Sequence, residues 1–226
     1  MPIKIAPSVV EADLTHLADA VAEVEKAGAD LLHVDVADGH FVPNLMCGPQ
    51  LAAAAVRCAT VPVGVHLMIS DPLRYAPVFV RAGARTIFFH VEAVGDLLGA
   101  VRAIRGLGVQ VGVALKPATS PEAVRAAAGR LDCLMAMTVE PGFSGQEFME
   151  SACRKIPALR ETFGSGIDIY ADGGIGLDTV GTVVRYGANV LVAGYAVFHA
   201  DVPPGKAVER LRRAAMGAMG PTAGSG

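Results

Sequence analysis

The chain has 226 residues and a formal net charge of −3, with 52% hydrophobic and 18% charged residues. Its mass of 23.2 kDa and mean hydropathy of +0.45 suit one α/β domain with a large core. There is no basic stripe of the kind nucleic acid or an anionic membrane surface would need, no apolar run near the ~20 residues of a membrane span, and no signal-peptide order in Met1-Pro2-Ile3-Lys4-Ile5.

In chain order, apolar runs fit for buried strands fall at 3–7, 31–34, 61–65, 86–89, 109–115, 133–137, 167–171 and 190–192. Stretches with helical spacing lie between them. The first carries Leu14, Leu17, Ala18, Val21, Val24 and Glu25; others cover 52–56, 75–80, 97–104, 121–128 and 179–186. Three close on Ala27-Gly28-Ala29, Ala82-Gly83-Ala84 and Tyr186-Gly187-Ala188, where glycine fits a left-handed helix cap. Eight strand–helix units in series predict a single (β/α)8 TIM barrel over residues 1–213, with a doubly wound open sheet as the alternative. Residues 214–226 read as a flexible C-terminal tail. Cys47, Cys58, Cys133 and Cys153 show no CxxC pair and read as free thiols in a reducing, cytoplasmic setting.

Polar residues gather where the apolar runs end. His33 and Asp35 are two apart on one strand and so share a face, pointing to the barrel mouth. His66 ends the third run, with Met68 sharing its face if the strand continues, and Asp172 ends the seventh. Taken singly, each has an ordinary reading: a hydrogen-bonded strand-end histidine, or a carboxylate capping the next helix. Four at strand C-termini are harder to explain that way, because buried charge needs a partner or a metal. Two imidazoles and two carboxylates suit one divalent ion per chain, Zn, Fe, Co or Mn, and leave two candidate proton carriers. Strict alternation also places Asp168 and Tyr170 inside the barrel.

Glycine-rich turns follow the last three runs. They are Pro141-Gly142-Phe143-Ser144-Gly145-Gln146, then Asp172-Gly173-Gly174-Ile175-Gly176, then Ala193-Gly194-Tyr195. Late loops of such barrels commonly hold a phosphate on backbone N–H groups and a short helix N-terminus, with no lysine or arginine required.

The set of motifs resembles the ribulose-phosphate 3-epimerases. It comprises Ala6-Pro7-Ser8, the run from His33 through Asp38-Gly39-His40-Phe41-Val42-Pro43-Asn44, His66-Leu67-Met68 and His90-Val91-Glu92. It continues through Met137, Glu140-Pro141-Gly142-Phe143-Ser144-Gly145-Gln146, Asp172-Gly173-Gly174 and Ala193-Gly194, spanning about residues 3–200 in order. The resemblance implies a ribulose-phosphate-binding barrel that epimerises C3 of a ketose phosphate. It points to D-ribulose 5-phosphate and D-xylulose 5-phosphate, interconverted by two-base proton transfer through an enediolate. His33, Asp35, His66 and Asp172 would hold the metal, Asp35 and Asp172 would be the catalytic acid/base pair, and Ser8 and His66 would touch substrate. Gly142, Phe143, Ser144, Gly145, Gly173, Gly174, Gly194 and Tyr195 would line the phosphate end, and Met68 and Met137 the reaction pocket. The resemblance further implies a homo-oligomer, dimer or hexamer, in pentose phosphate metabolism or carbon fixation.

Two positions depart from the family's usual pattern. Ala37 stands where methionine is common, and Tyr195 where serine is. Both bear on the sugar more than on the reaction, so a 3-epimerase of a hexulose or tetrulose phosphate is the nearest rival. A decarboxylase of related barrel type is disfavoured, because Asp35-Val36-Ala37-Asp38 lacks the lysine of its Asp-x-Lys-x-x-Asp motif. A catalytically dead sugar-phosphate binder would have no need of two carboxylates at a metal.

Overall fold

The computed structural model describes residues 1–219. Among the described residues nine strands form in chain order: β1 (Lys4–Pro7), β2 (Leu32–Asp38), β3 (Leu45–Met46), β4 (Val63–Met68), β5 (Thr86–His90), β6 (Gln110–Leu115), β7 (Cys133–Met137), β8 (Asp168–Asp172) and β9 (Val190–Ala193). Their order in the sheet is β1-β9-β8-β7-β6-β5-β4-β2-β3, parallel throughout except for the short antiparallel β2–β3 pair. A parallel bridge between Ser8 and His33 joins the β1 edge back to β2 and closes the eight parallel strands into a barrel. The chain is a (β/α)8 TIM barrel, and closure excludes the open sheet.

Helices α1 (Leu17–Lys26), α2 (Pro49–Cys58), α3 (Pro72–Arg81), α4 (Leu97–Arg105), α5 (Glu150–Cys153), α6 (Ile156–Phe163), α7 (Val180–Tyr186), α8 (Tyr195–Phe198) and α9 (Pro204–Ala218) complete the units. Pro121–Ala127, expected as an ordinary helix, is a 3-10 helix capped by the Ser120 side chain. It is too short to gain much from α-helical propagation. Helix α9 includes residues 214–218, which composition alone assigns to a tail. Ala215 is 0% exposed there, and Arg212 binds the Ile3 carbonyl at 3.0 Å and Asp30 at 2.5 Å, stapling the helix beside β1. The remainder of that expected tail, 220–226, lies outside the described residues.

Alternation decides what faces inward. Val34 and Val36 of β2, Val65 and Leu67 of β4, and Ile87 and Phe89 of β5 pack outward in the large core under the helices. Inside the barrel a second cluster fills the middle: Phe88, Met135, Met137, Tyr170, Cys133, Val190 and Val192. Phe88 and Tyr170 meet edge-on at 4.7 Å. Asp168 does point inward, and its charge is met at the barrel floor by Lys4 Nζ at 2.6 Å and by the Asn189 amide at 2.7 Å.

The Phe88 ring fits because β6 has Gly112 opposite it. A Cβ there would lie 2.2 Å from Phe88 and 2.9 Å from Cys133 Sγ. Gly112→Ala is therefore expected to cost about 1–3 kcal/mol through overpacking, a Tm lower by about 2–12 °C. Thermal unfolding checks it, and an unchanged Tm would contradict the packing account.

Candidate active site

At the C-terminal mouth of the barrel, the register aligns Asp35 with His66 across β2 and β4. Asp172 ends β8 beside Met137 of β7. Four ligand-type side chains therefore converge from three strands: His33, Asp35, His66 and Asp172, each offering one donor atom within 4.8 Å of all the others. His33 Nε2 lies 3.2 Å from Asp35 Oδ1 and 3.8 Å from Asp172 Oδ2. His66 Nδ1 lies 3.0 Å and 3.3 Å from the same two oxygens.

Donor atoms bound about 2.0–2.2 Å from one ion sit about 3.3–3.6 Å apart in a tetrahedron. The observed separations bracket that spacing. Asp172 Oδ2 is buried without a hydrogen-bond partner, as is His33 Nδ1. An unpartnered buried carboxylate oxygen is costly, and a cation beside it removes the cost. With both carboxylates ionised and both imidazoles neutral, a divalent ion brings the cluster to zero charge. The residues fit a divalent metal, and the nitrogen–oxygen donor set suits Zn, Fe, Co or Mn.

Without the ion, protons take up part of that charge. Burial alone would lower His66, yet the Asp172 and Asp35 carboxylates beside its Nδ1 raise it to about 9. Burial alone would raise Asp35, yet the charge and hydrogen bond of His33, together with His66, hold its carboxyl far below the usual range. Ser8, just after β1, donates its hydroxyl to Asp35 Oδ2 at 2.6 Å and so aims that carboxylate.

Above the cluster opens a cleft of about 450 Å³. Asp35 and Asp172 line it, with Ser8, Met68, Met137 and the residues expected at the phosphate end: Gly142, Phe143, Ser144, Gly145, Gly173, Gly174, Gly194 and Tyr195. His33 and His66 do not; both are 0% exposed and lie beneath its floor. His66, expected to touch a substrate as well, is not among the residues lining the cleft.

The turns come close because they lack side chains. A Cβ on Gly173 would meet Val139 Cγ2 at 2.4 Å, and its φ of +111° favours glycine in any case. The Thr138 hydroxyl fixes the same turn by donating to the Asp172 and Gly173 carbonyls. Lysine and arginine are absent from the cleft lining among the described residues. In the opening turn of α8 the Val197 and Phe198 N–H groups bond the Gly194 carbonyl, which leaves those of Tyr195 and Ala196 without a helical acceptor beside Gly194.

Two sequence departures have a structural account. Ala37 packs with Val42 and Met68, and Met46 of β3 fills in against them and lines the cleft. Tyr195 is 57% exposed and stacks on His199 at 4.7 Å rather than plugging the cleft. Its ring edge lies 4.0 Å from where a Cβ on Gly145 would be.

Met46, Glu11 and Ala196 also line the cleft, and no sequence motif marks any of them for it. Glu11 clasps the rim, accepting from Ser144 Oγ at 2.5 Å and meeting His199 Nε2 at 3.1 Å. Met46 has no apolar run to mark it, since β3 is two residues long. Among the described residues, no helix is long and apolar enough to cross a membrane.

Residues 4–198 match the model of the Ribulose-phosphate 3 epimerase family. The ribulose-phosphate 3-epimerase of Bacillus subtilis (strain 168) is 42% identical over 200 residues, covering 87% of this chain and 92% of that one. The Mycobacterium tuberculosis (strain ATCC 25618 / H37Rv) ribulose-phosphate 3-epimerase is 42% identical over 214 residues, covering 93% and 92%. The ribulose-phosphate 3-epimerase, cytoplasmic isoform, of Oryza sativa subsp. japonica is 37% identical, covering 96% of each. Among solved structures, KGPDC from Streptococcus mutans superposes with a TM-score of 0.72 at 15% identity, covering 97% of this chain and 100% of that one. Orotidine 5'-phosphate decarboxylase from Pyrococcus horikoshii OT3 does so with a TM-score of 0.69 at 16% identity, covering 94% and 99%. At such identities these two likenesses speak for the fold alone.

Proposed function

The chain is an enzyme of the ribulose-phosphate 3-epimerase family, and we propose that it interconverts D-ribulose 5-phosphate and D-xylulose 5-phosphate by moving a proton at C3. The observation that carries this reading is the pair of carboxylates, Asp35 and Asp172, meeting over two buried histidines at the floor of the cleft.

Inverting a carbon by deprotonation and reprotonation needs one proton carrier for each face. Asp35 hangs from β2 and Asp172 from β8, with β1 and β9 between them around the barrel. Asp35 takes the C3 proton on one face of the substrate, and Asp172 returns one on the other, through a planar enediolate. Ser8 donates to Asp35 and aims its carboxylate. A divalent ion held by His33, Asp35, His66 and Asp172 would supply Lewis-acid polarisation of the ketose carbonyl next to C3. The phosphate end is assigned to the backbone of 142–145, 173–174 and 194–195, where the turns are open enough for an anion and no cationic side chain is needed. Met46, Met68 and Met137 give the reacting carbon an apolar, polarizable wall.

The cytoplasm is the proposed location, in line with the isoform named in Oryza sativa. A homo-oligomer of two or six copies is proposed on the family resemblance, with mass by light scattering as its check.

Turnover of D-ribulose 5-phosphate against hexulose and tetrulose phosphates tests the substrate, with metal analysis of the same sample. Tyr195 at the phosphate end favours one rival, a 3-epimerase of a longer or shorter ketose phosphate. A higher kcat/KM on either would replace the pentulose assignment.

The metal should also compete with a proton. His66 stays protonated up to about pH 9 without the ion, so loading below that pH must release it. Apparent divalent-metal affinity is expected to rise about tenfold per pH unit between pH 6 and 8. A competition titration with a chelating dye checks this, and a flat profile would contradict it.

A further inference from the structure

Behind His66 lies a pair of groups that the proton-transfer chemistry does not use. Alternation along β5 turns His90 inward, and its ring stacks on His66 with centroids 5.0 Å apart. His66 Nε2 and His90 Nε2 are 2.9 Å apart, and His90 Nδ1 lies 3.1 Å from Glu92 Oε2. Neither residue lines the cleft. We propose that His90 and Glu92 are positioning residues: a histidine–carboxylate relay that fixes the ring proton of His66 on Nε2 and keeps Nδ1 bare toward the divalent ion.

Two imidazole nitrogens 2.9 Å apart must share one proton, one donating and the other accepting. The inference rests on the metal reading above, in which His66 presents Nδ1. Its proton then sits on Nε2 and is donated to His90 Nε2. The His90 proton is thereby placed on Nδ1, where it meets the Glu92 carboxylate. Reversing the chain would set a bare His90 Nδ1 against Glu92 Oε2, two acceptors facing each other, and would leave His66 no bare nitrogen for the ion. Only one direction satisfies every group.

Glu92 is held for this task. Its other oxygen, Oε1, accepts from the Lys116 backbone N–H at 2.8 Å and from the Thr119 hydroxyl. The turn that presents those donors is tied down by Lys155, whose Nζ donates to the carbonyls of Lys116, Pro117 and Thr119. Phe41 covers the far face of His90 at 4.8 Å, with Lys116 Nζ 4.0 Å above the Phe41 ring. The relay thus runs from the start of α6 through a loop, a carboxylate and a histidine to a metal ligand. Orienting partners of this kind commonly carry about 10–100-fold in metal affinity.

The test has two readouts, neither of them turnover. The full-length chain loaded with Zn²⁺ and ¹⁵N-labelled at its six histidines gives ring tautomers by long-range ¹H–¹⁵N correlation. The expected pattern is a proton on His66 Nε2 and on His90 Nδ1. A proton on His90 Nε2 would overturn the relay. Zn²⁺ affinity of metal-stripped protein is then measured for wild type, His90→Phe and His90→Gln. The phenylalanine variant removes the acceptor and should bind about 10–100-fold more weakly. The glutamine variant keeps an acceptor oxygen and should recover most of that loss. Equal affinity in all three would overturn the proposal. Should the phenylalanine variant fail to fold, the wild-type tautomer pattern decides alone. If the wild-type chain takes up no divalent ion, the metal reading falls and the relay with it; if it takes one with the wrong tautomers, only the relay falls.

Discussion

Asp172→Asn is expected to lower kcat for epimerisation by about 10⁴-fold, the upper end of what one general acid–base group contributes. The carboxamide is the same size as the carboxylate, so the β8 strand and its pairing with β7 should persist. What disappears is the only proton carrier assigned to one face of the substrate. The carboxamide could still offer an oxygen to the ion, so metal content is expected to fall less than activity. Circular dichroism, metal analysis and turnover on one preparation separate these effects. A folded, metal-loaded variant that retained turnover would contradict the two-face scheme.

Removing the ion should be as damaging by another route. Dialysis against a chelator is expected to bring turnover to baseline, and one equivalent of Zn, Fe, Co or Mn per chain to restore it. Stability should follow. An ion present at about a thousand times its Kd contributes about 4 kcal/mol to the folded state. For a domain of this size that corresponds to a Tm lower by about 8–16 °C in the stripped protein. The physical reason is local: without the ion, only a protonated His66 stands between the Asp172 and Asp35 carboxylates, and Asp172 Oδ2 keeps no hydrogen-bond partner. A metal-free preparation with full activity and unchanged Tm would end the metal account.

Much of this site is legible in the sequence because strand alternation is a strict rule. Once β2, β4 and β8 are placed, His33, Asp35, His66 and Asp172 must point inward, and the structure brings them within ligand distance of one another although β2 runs on past His33 and Asp35 to Asp38. The same rule raises a conflict at Asp168, which resolves through a residue 164 positions away, Lys4. Periodicity cannot show such a partner, since it arises only when the barrel closes.

Other features lack a local signal. Met46 sits on a two-residue strand, and Glu11 reaches Ser144 across the mouth from a 3-10 turn. The sequence places His90 and Glu92 within a motif without a task, because the task exists only through contact with His66. Helix α9 is a different case. Ala207, Val208, Leu211 and Ala215 do recur at helical spacing, but the Ala, Met and Gly residues at its end resemble a frayed terminus.

The central claim, that two carboxylates serve opposite faces of one carbon, is tested most directly by isotope exchange. Wild-type protein is given D-ribulose 5-phosphate in D₂O, and C3 of both sugars is followed by ¹H NMR at early conversion. The account predicts that xylulose 5-phosphate forms with solvent deuterium at C3 while unconverted ribulose 5-phosphate keeps its hydrogen. Product that carries the original C3 hydrogen would mean that a single group moves the proton, and would contradict it.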